Sequence, residues 1–382
     1  TWTEEMASDL CHDDLAFLKE RFPIMSVATH ERVRHGTGHS QEDVFAIRAG
    51  ISMRLPDAIV WPTCQDEVLA LVQAAHQRRW CLIPFGGGTN VSNATQCPEK
   101  DVEPRPIISV DMKEMNGLLW VNEEDGLAHV EAGITGRKLV EELERRGFTV
   151  GHEPDSIEFS TLGGWIATKA SGMKRNRYGN IEDIVVSVTV VTSQGVLWKG
   201  ADQGDGTCGR VAEGLDIPSL FLGSEGCLGV ICSAVLRIWP LPEVRKFESI
   251  VFPCFEAGLN FVRGLAKRGS NMPASVRLLD YAHFRLGQAL RPDASSAMEK
   301  GKELLTKAAS TFLLSHLDHD AVVCATISYE GSHREVHVQE ATIKELSYQY
   351  GGTLLGSKVG KAGYDLTFMI AYLRDFAMTY HV

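Results

Sequence analysis

Residues 84–91, which read Pro-Phe-Gly-Gly-Gly-Thr-Asn-Val, have a composition that could bind a ligand, and we call them the glycine loop. They follow the apolar residues 81–83, which have the length of a short buried strand. Glycines have no Cβ atom, so the backbone can adopt positive φ and approach a ligand closely. Successive N–H groups in such a turn can bind an anion, typically a phosphate. Plain tight turns also use glycine, so this stretch alone leaves both interpretations open.

Three other stretches offer similar hydrogen-bond donors. Residues 152–161 read His-Glu-Pro-Asp-Ser-Ile-Glu-Phe-Ser-Thr, and residues 163–172 combine paired glycines with small and hydroxyl side chains. Residues 223–229 have glycine at the first, fourth and seventh positions. With the glycine loop, these stretches supply approachable donors from four separated places in the chain. A long polyanionic dinucleotide needs donors along its length, so we predict a dinucleotide site.

Two common nucleotide-binding signatures are absent from the sequence. A G-x-G-x-x-G pattern that starts at Gly86 fails because its sixth position is Val91. The G-x-x-x-x-G-K-[ST] pattern fails as well, since residues 356–361 have the wrong spacing and continue into Ala362. The predicted site is therefore neither a Rossmann site nor a P-loop.

The elements that must position these stretches follow from hydrophobic periodicity. Between residues 52 and 241 short strands alternate with helices that begin near Thr63 and Gly136. A hairpin is predicted from strand 184–191, a Ser-Gln-Gly turn and strand 196–198. The other strands predicted in this region are 57–61, 107–110, 129–132 and 236–239.

Two prolines, Pro240 and Pro242, predict a domain boundary. Beyond it, residues 242–382 read as an α+β domain, and residues 1–51 read as a polar helical segment. The predicted strands and helices of the α+β domain are strands 249–253 and 321–328 and helices 255–267 and 333–350.

Composition excludes several classes of function. A net charge of −11 over 382 residues argues against a general nucleic-acid binder, which needs a basic face. The nine cysteines form no C-x-x-C pair, which favours a reducing, intracellular setting over a zinc site or a disulfide framework. His35 and His39 lie four residues apart among glycines without a third candidate ligand, so we predict no metal site.

The motifs together resemble a known flavoprotein fold. The glycine loop, residues 130–133 and residues 223–231 resemble the vanillyl-alcohol-oxidase (VAO) type of FAD-binding fold. The run 151–165, with residues 170–174 and 178–183, is similar to the alkyldihydroxyacetonephosphate synthase family, and the resemblance extends over essentially the whole chain. It implies an α+β protein with a two-subdomain VAO/PCMH-type FAD-binding domain over residues 52–241. An α+β cap domain for the substrate would follow over residues 242–382.

The resemblance implies an enzyme of ether-lipid synthesis. Such enzymes exchange the acyl chain of acyl-dihydroxyacetone phosphate for a fatty alcohol without net redox change, and the flavin N5 holds dihydroxyacetone phosphate covalently between the two steps. Two alternatives stay open, since a fold does not fix a function. One is a 2-hydroxy-acid dehydrogenase or oxidase with the same FAD fold, and the other is a scaffold protein without activity.

The resemblance also assigns residues to the flavin site. Covalent tethers in this fold often use a histidine in the glycine loop, where this chain has Thr89 and Asn90, so we predict non-covalent FAD. The predicted cofactor-binding residues are Pro84, Phe85, Gly86, Gly87, Gly88, Thr89, Asn90, Asp155, Ser156, Ile157, Glu158, Phe159, Ser160, Thr161, Thr168, Lys169, Ala170, Ser171, Glu225, Gly226, Cys227, Leu228, Gly229, Val230 and Ile231.

Arg374 and Arg277 match family positions near the active site. A guanidinium suits phosphate bidentately, so Arg374 is assigned to the substrate and Arg277 to catalytic support of the flavin–substrate geometry. Surface ion pairs are the competing interpretation for both residues. His152 is predicted to shuttle a proton because imidazole titrates near neutral pH, with a structural histidine as the alternative. The basic residues at 174, 175 and 177 are predicted to form a solvated loop, with contact to a phosphate or an anionic membrane as the alternative.

The family resemblance further implies a homodimer on the luminal membrane face of peroxisomes or glycosomes, in peripheral contact with lipid. No apolar run reaches the ~20 residues of a membrane span. The chain begins at Thr1 and ends abruptly after an apolar, helix-like segment, so we expect a longer protein. Its C-terminal section would hold the family's catalytic tyrosine and histidine-rich motif, and FAD binding and activity are expected to depend on that section.

Overall fold

The computed structural model describes residues 8–51, 53–198, 214–269, 271–283 and 322–379, and in the last helix it describes side chains up to residue 369 and at Tyr372. The chain divides into two compact units. The first, here the N-terminal unit, contains residues 1–172 and 179–240, and the second, the C-terminal unit, contains residues 173–178 and 241–382. The helical segment 1–51 thus belongs to the first unit, and a short piece of the expected FAD domain belongs to the second.

Helices and strands alternate along most of the described chain. The helices are α1 His12–Arg21, α2 Thr29–His35, α3 Gln41–Ala49, α4 Gln65–Arg78, α5 Gly136–Glu144, α6 Leu162–Thr168, α7 Arg175–Tyr178, α8 Ile181–Ile184, α9 Ile217–Phe221, α10 Phe255–Ala266, α11 His333–Gln349 and α12 Ser357–Thr379. The strands are β1 Met25–Ser26, β2 Ala58–Val60, β3 Cys81–Phe85, β4 Ile107–Asp111, β5 Leu118–Asn122, β6 Leu127–Glu131, β7 Phe148–Thr149, β8 Val185–Thr192, β9 Gly195–Trp198, β10 Val230–Arg237, β11 Trp239–Pro240, β12 Val244–Phe252, β13 Ser275–Leu279, β14 Val323–Gly331 and β15 Thr353–Leu354.

A four-stranded sheet in the N-terminal unit positions the glycine loop. Its strand order is β1-β2-β4-β3, and β4 pairs in parallel with both β2 and β3. The apolar stripe of α4, with Val68 and Leu71, packs with Ile108 and Val110 of β4 in a buried core. The glycine loop begins within β3 and continues beyond its carboxyl end at Phe85, and ligands of α/β sheets commonly bind at such strand ends.

A five-stranded antiparallel sheet forms the second half of the N-terminal unit. Its order is β5-β6-β10-β8-β9, and the predicted hairpin is confirmed by the pairing of Thr192 with Gly195. Helices α5 and α6 cover one face of this sheet through buried Leu139, Leu143 and Trp165. The strand predicted at 236–239 was placed too late, because β10 runs from Val230 to Arg237 and pairs with β6 and β8.

The C-terminal unit is built on a sheet of order β13-β14-β12-β15. Alternate residues of β12 and β14, such as Ile250 and Ile327, join α10 and α11 in one core. The residues between them face the other way, and there Thr326 and Phe247 contact α12. The predicted strands and helices of this domain are thus confirmed, with shifts of a few residues at their ends. Among the described helices, none is both long and apolar enough to cross a membrane.

The prediction that the basic residues at 174, 175 and 177 form a solvated loop is wrong for Lys174, which is buried, and Arg175 and Arg177 lie in the short helix α7, where Arg175 is exposed. Lys174 is 6% exposed, and its Nζ lies 2.6 Å from Oε1 of Glu330, which is 2% exposed. Tyr178 donates a hydrogen bond of 2.8 Å to the other carboxylate oxygen. Burial and the Glu330 charge both raise the pKa of this tyrosine, so its hydroxyl stays a donor at neutral pH. These contacts attach α7 and Lys174 to β14 within the C-terminal unit.

Candidate functional site

A cleft of about 400 Å³ in the N-terminal unit brings the predicted stretches together. The whole glycine loop lines it, with residues of the α6 region on one side and residues 225–231 on another. Its volume lies in the range of about 300–1,000 Å³ that small-molecule sites occupy. Among the lining residues that the structure describes, Glu225 is the only one with a charged side chain.

Glycine is required in the loop by the close approach of neighbouring backbone. Gly88 has a φ of +65°, and a Cβ there would lie 2.7 Å from the ring of Phe85. A Cβ on Gly86 would collide with the Thr161 hydroxyl, and one on Gly87 with the Phe159 carbonyl oxygen. The N–H groups of residues 87–89 donate to no protein acceptor in the part of the chain that the structure describes. The loop therefore presents successive donors that an anion can accept.

The start of α6 forms a second wall of the cleft, next to the loop. Thr161 caps the helix, and its Oγ1 accepts a 3.3 Å hydrogen bond from the N–H of Gly164. Trp165 is 1% exposed and donates from Nε1 to Oγ of Ser160 at 2.8 Å. That hydroxyl donates in turn to the Ser156 carbonyl at 2.9 Å. The buried Trp165 side chain thus holds Ser160 and Ser156 in place in the wall of the cleft.

Residues 225–231 close a third side of the cleft. Gly226 has a φ of +83°, and a Cβ there would lie 3.0 Å from Cδ of Pro84. Glu225 has a φ of +46°, and its N–H donates to the Ala167 carbonyl at 2.9 Å. Its carboxylate accepts a 2.7 Å hydrogen bond from the Ser92 hydroxyl. The positive φ values of Glu225 and Gly226 thus allow this segment to pack against both the glycine loop and α6.

The base of the glycine loop rests on a buried polar group. Nε2 of His35 lies 3.0 Å from a carboxylate oxygen of Asp111, which also accepts a 2.6 Å hydrogen bond from Trp61. The His35 ring lies 4.4 Å from the Phe85 ring, centroid to centroid. His35 therefore supports the end of β3. His39 donates its N–H to the Asn90 carbonyl at 2.7 Å, which fixes the far end of the loop.

The structure brings most of the predicted cofactor residues to this cleft. The predicted residues that line it are Pro84, Phe85, Gly86, Gly87, Gly88, Thr89, Asn90, Ser156, Ser160, Thr161, Thr168, Ala170, Glu225, Gly226, Gly229, Val230 and Ile231. The predicted residues that do not line it are Asp155, Ile157, Glu158, Phe159, Lys169, Ser171, Cys227 and Leu228.

The residues outside the lining have other contacts. The side chain of Ile157 packs against the core of the five-stranded sheet, and Glu158 forms an ion pair with Arg137. Lys169 ends α6 in a left-handed conformation. Leu228 is 53% exposed.

Sequence reasoning did not assign several of the lining residues. Gly163, Gly164 and Trp165 belong to a stretch that was singled out, so their small size and their place beside Thr161 could have placed them in the site. Met112 and Ala132 follow β4 and β6, and no local pattern marks them. The remaining unassigned lining residues are Val91, Ser92, Ala94, Thr95, Pro154 and Ala167.

His152 lies behind the wall rather than among the residues that line the cleft. It is fully buried, its ring centroid lies 4.8 Å from that of Trp165, and neither ring nitrogen has a hydrogen-bond partner among the described residues. Burial lowers the pKa of His152 to about 4. The ring is therefore neutral at pH 7, which removes the argument that it titrates near neutrality.

We expect the buried imidazole to make the protein acid-sensitive. Its pKa is about 4 when folded and 6.5 in the reference state, so the unfolded chain binds more protons between these values. The contribution of His152 to stability is complete above pH 6.5 and is lost as the pH falls toward 4. The free energy of unfolding should fall by about 2 kcal/mol from this group between pH 7 and pH 5.

Urea unfolding of the protein and its His152→Gln variant at both pH values isolates this effect. Between pH 7 and pH 5, the free energy of unfolding of the variant should fall by about 2 kcal/mol less than that of the unsubstituted protein. Equal pH dependence of the two proteins would mean that His152 is not buried as a neutral ring.

The two predicted arginines both fall in the C-terminal unit. Arg277 lies on β13, and its Nη1 contacts Oγ1 of Thr367 and Sδ of Met173. Arg374 lies in α12, but its side chain is outside the described residues.

The cleft fits the flavin dinucleotide that the motifs imply. The loop N–H groups that have no acceptor among the described residues suit a pyrophosphate, and the glycines let neighbouring backbone and side chains pack closely around the loop. Because none of the described lining residues is basic, backbone N–H groups and hydroxyls would hold the phosphates.

Comparisons with known proteins support this interpretation. Residues 56–200 match the family model described as FAD binding domain. The chain is 42% identical to alkyldihydroxyacetonephosphate synthase of Caenorhabditis elegans, over 97% of this chain and 60% of that protein. It is 32% identical to the enzyme of the same name from Trypanosoma brucei brucei, over 92% of this chain and 56% of that protein.

A solved structure of alkyldihydroxyacetonephosphate synthase superimposes with a TM-score of 0.86 at 30% identity, covering 98% of this chain and 67% of that one. The expected FAD-binding fold is thereby confirmed. The chain spans about three fifths of the length of the curated relatives it matches.

Proposed function

The chain belongs to the alkyldihydroxyacetonephosphate synthase family, and from this we propose that the protein makes the ether bond of ether lipids. It exchanges the acyl chain of 1-acyl-dihydroxyacetone phosphate for a long-chain fatty alcohol and releases a fatty acid, without net redox change. The observation that carries the proposal is the likeness to a solved synthase over 98% of the chain.

FAD is proposed to bind without a covalent link. No histidine lies in the glycine loop, and Thr89 and Asn90 occupy the positions next to its glycines. The loop N–H groups would hold the pyrophosphate, and Thr161, Thr168 and Glu225 would line the rest of the cofactor. When bound, FAD supplies a nucleophilic nitrogen, N5, for displacement of the fatty acid.

The substrate is proposed to depend on residues of the C-terminal unit. Arg374 would bind the phosphate of dihydroxyacetone phosphate, because a guanidinium can donate two parallel hydrogen bonds to it. Arg277 would support the geometry of the reacting groups. His152, neutral at pH 7, could serve only as a proton acceptor at that pH.

Location and assembly are proposed on the family resemblance alone. The protein would act as a homodimer on the luminal face of a peroxisomal or glycosomal membrane, since its substrates carry long acyl and alkyl chains. Contact with the bilayer would be peripheral, as the family resemblance implies.

Anaerobic addition of palmitoyl-dihydroxyacetone phosphate to the full-length protein tests the reaction. We expect the absorbance of oxidised flavin to bleach and palmitate to be released before any alcohol is added. Hexadecanol should then restore the absorbance and yield the alkyl product. Acid precipitation should leave all FAD in the supernatant.

Other outcomes would contradict the proposal. Reduction of a dye by a 2-hydroxy acid, with no palmitate released, would place the protein among the dehydrogenases of this fold. Stoichiometric flavin without either reaction would indicate a scaffold protein. The matched control is palmitoyl-glycerol 3-phosphate, which lacks the ketone and should leave the flavin spectrum unchanged.

A further inference from the structure

Arg277 is held from two sides within the C-terminal unit. It projects from β13 opposite Thr326 of β14. Its Nη1 donates a hydrogen bond to Oγ1 of Thr367 on α12, and the same nitrogen lies 3.3 Å from Sδ of Met173. Thr367 is 6% exposed, so little water competes for this hydrogen bond.

A short threonine side chain reaches the arginine because α12 lies very close to the sheet. A Cβ on Gly360 would lie 2.5 Å from the backbone of Glu248, and one on Gly363 would collide with Thr326. Positions 360, 363, 364 and 367 lie on one face of a helix. Tyr364 packs on this face against Phe247, with ring centroids 5.2 Å apart. The two glycines thus set the distance that allows Thr367 to contact Arg277.

The position of Met173 beside Arg277 is fixed by the residues that follow Met173 in the chain. Lys174 and Tyr178 both contact the carboxylate of Glu330 on β14, at 2.6 Å and 2.8 Å. Because Met173 directly precedes the anchored lysine, the position of its sulfur beside Arg277 is set by β14. The guanidinium therefore lies between two elements that are each packed on the same sheet.

We propose that Thr367 is a positioning residue, whose hydroxyl fixes the plane of the Arg277 guanidinium for the reaction. This inference rests on the proposed function for the catalytic role of Arg277. A guanidinium carries five N–H donors in a rigid fork, so anchoring one nitrogen orients the remaining donors. The hydroxyl of Thr367, rather than the volume of its side chain, sets the orientation of the Arg277 guanidinium.

The test compares Thr367→Val, which keeps the volume, with Thr367→Ser, which keeps the hydroxyl. Phenylglyoxal modification of Arg277, followed by peptide mass spectrometry of the full-length protein without substrate, reports on the guanidinium itself. Modification should be about fivefold faster in Thr367→Val and unchanged in Thr367→Ser, in line with loss of one hydrogen bond. Since no turnover is involved, this readout can fail or succeed independently of the proposed function.

Kinetics of the holoenzyme supply the second readout. In Thr367→Val we expect kcat to fall about tenfold with KM changed less than about twofold, because a misplaced catalytic group slows chemistry more than binding. Thr367→Ser should restore kcat. In an Arg277→Lys background, Thr367→Val should have no further effect, since coupled residues are not additive.

Thr326→Val is the matched control. Thr326 is 3% exposed on the same face and lies opposite Arg277, but its hydroxyl has no hydrogen-bond partner among the described residues. The Arg277 modification rate should be unchanged in this variant. Equal modification rates in Thr367→Val and the unsubstituted protein would overturn the proposal, as would equal effects of the valine and serine substitutions at position 367.

Discussion

Replacing Gly87 with alanine should weaken FAD binding about 100-fold, which corresponds to about 2.7 kcal/mol. The added methyl group would collide with the carbonyl oxygen of Phe159. A backbone atom cannot turn aside like the end of a flexible side chain, so the loop itself must move. Movement of the loop separates the N–H groups of residues 87–89, which we assign to the FAD pyrophosphate.

Fluorescence titration of the apoprotein with FAD measures this loss, and circular dichroism shows whether the variant is folded. Gly264→Ala is the control, because Gly264 lies in α10, far from the loop in sequence, and alanine favours a helix. Its methyl group would lie 3.2 Å from the side chain of Tyr350 rather than against backbone. The control should bind FAD normally. A folded Gly87→Ala protein with an FAD affinity within threefold of the original would contradict the assignment of the loop.

Replacing Lys174 with methionine should lower the free energy of unfolding of the C-terminal unit by about 3–5 kcal/mol. The substitution leaves the Glu330 carboxylate, 2% exposed, without the ammonium group 2.6 Å away. Tyr178 still donates to it, but Nε of Arg245 lies 3.6 Å from the carboxylate and is partly exposed. Neither contact replaces a buried opposite charge.

Urea unfolding measures this loss of stability, and hydrogen exchange of the β14 amides shows whether the loss is located around Glu330. Lys361→Met is the matched control: it removes an ion pair of 2.8 Å with Asp365, but both side chains are at least half exposed. Exposed pairs contribute about 0–1 kcal/mol, so the control should change little. A Lys174→Met variant no less stable than this control would show that Glu330 is not buried as a charge.

The local elements were predictable because their signals are local. Helix α5 follows from apolar residues at helical spacing, and the β8–β9 hairpin follows from a β-branched run and a glycine turn. The glycine loop could be located in the same way, since close backbone approach requires glycine wherever it occurs. The sequence by itself thus determined most strands and helices, the stretches that line the cleft and, through long motifs, the family.

Only the tertiary structure decided which groups meet across the sheets. Lys174 looked like part of a solvated basic loop, but its partner Glu330 lies on a strand more than 150 residues later. His152 looked like a titrating shuttle, yet packing against Trp165 removes it from water and keeps it neutral. Met112 joins the cleft because β3 and β4 are neighbours. Periodicity records which face of an element is apolar, whereas the partner of a buried charge depends on strand order, which no local pattern encodes.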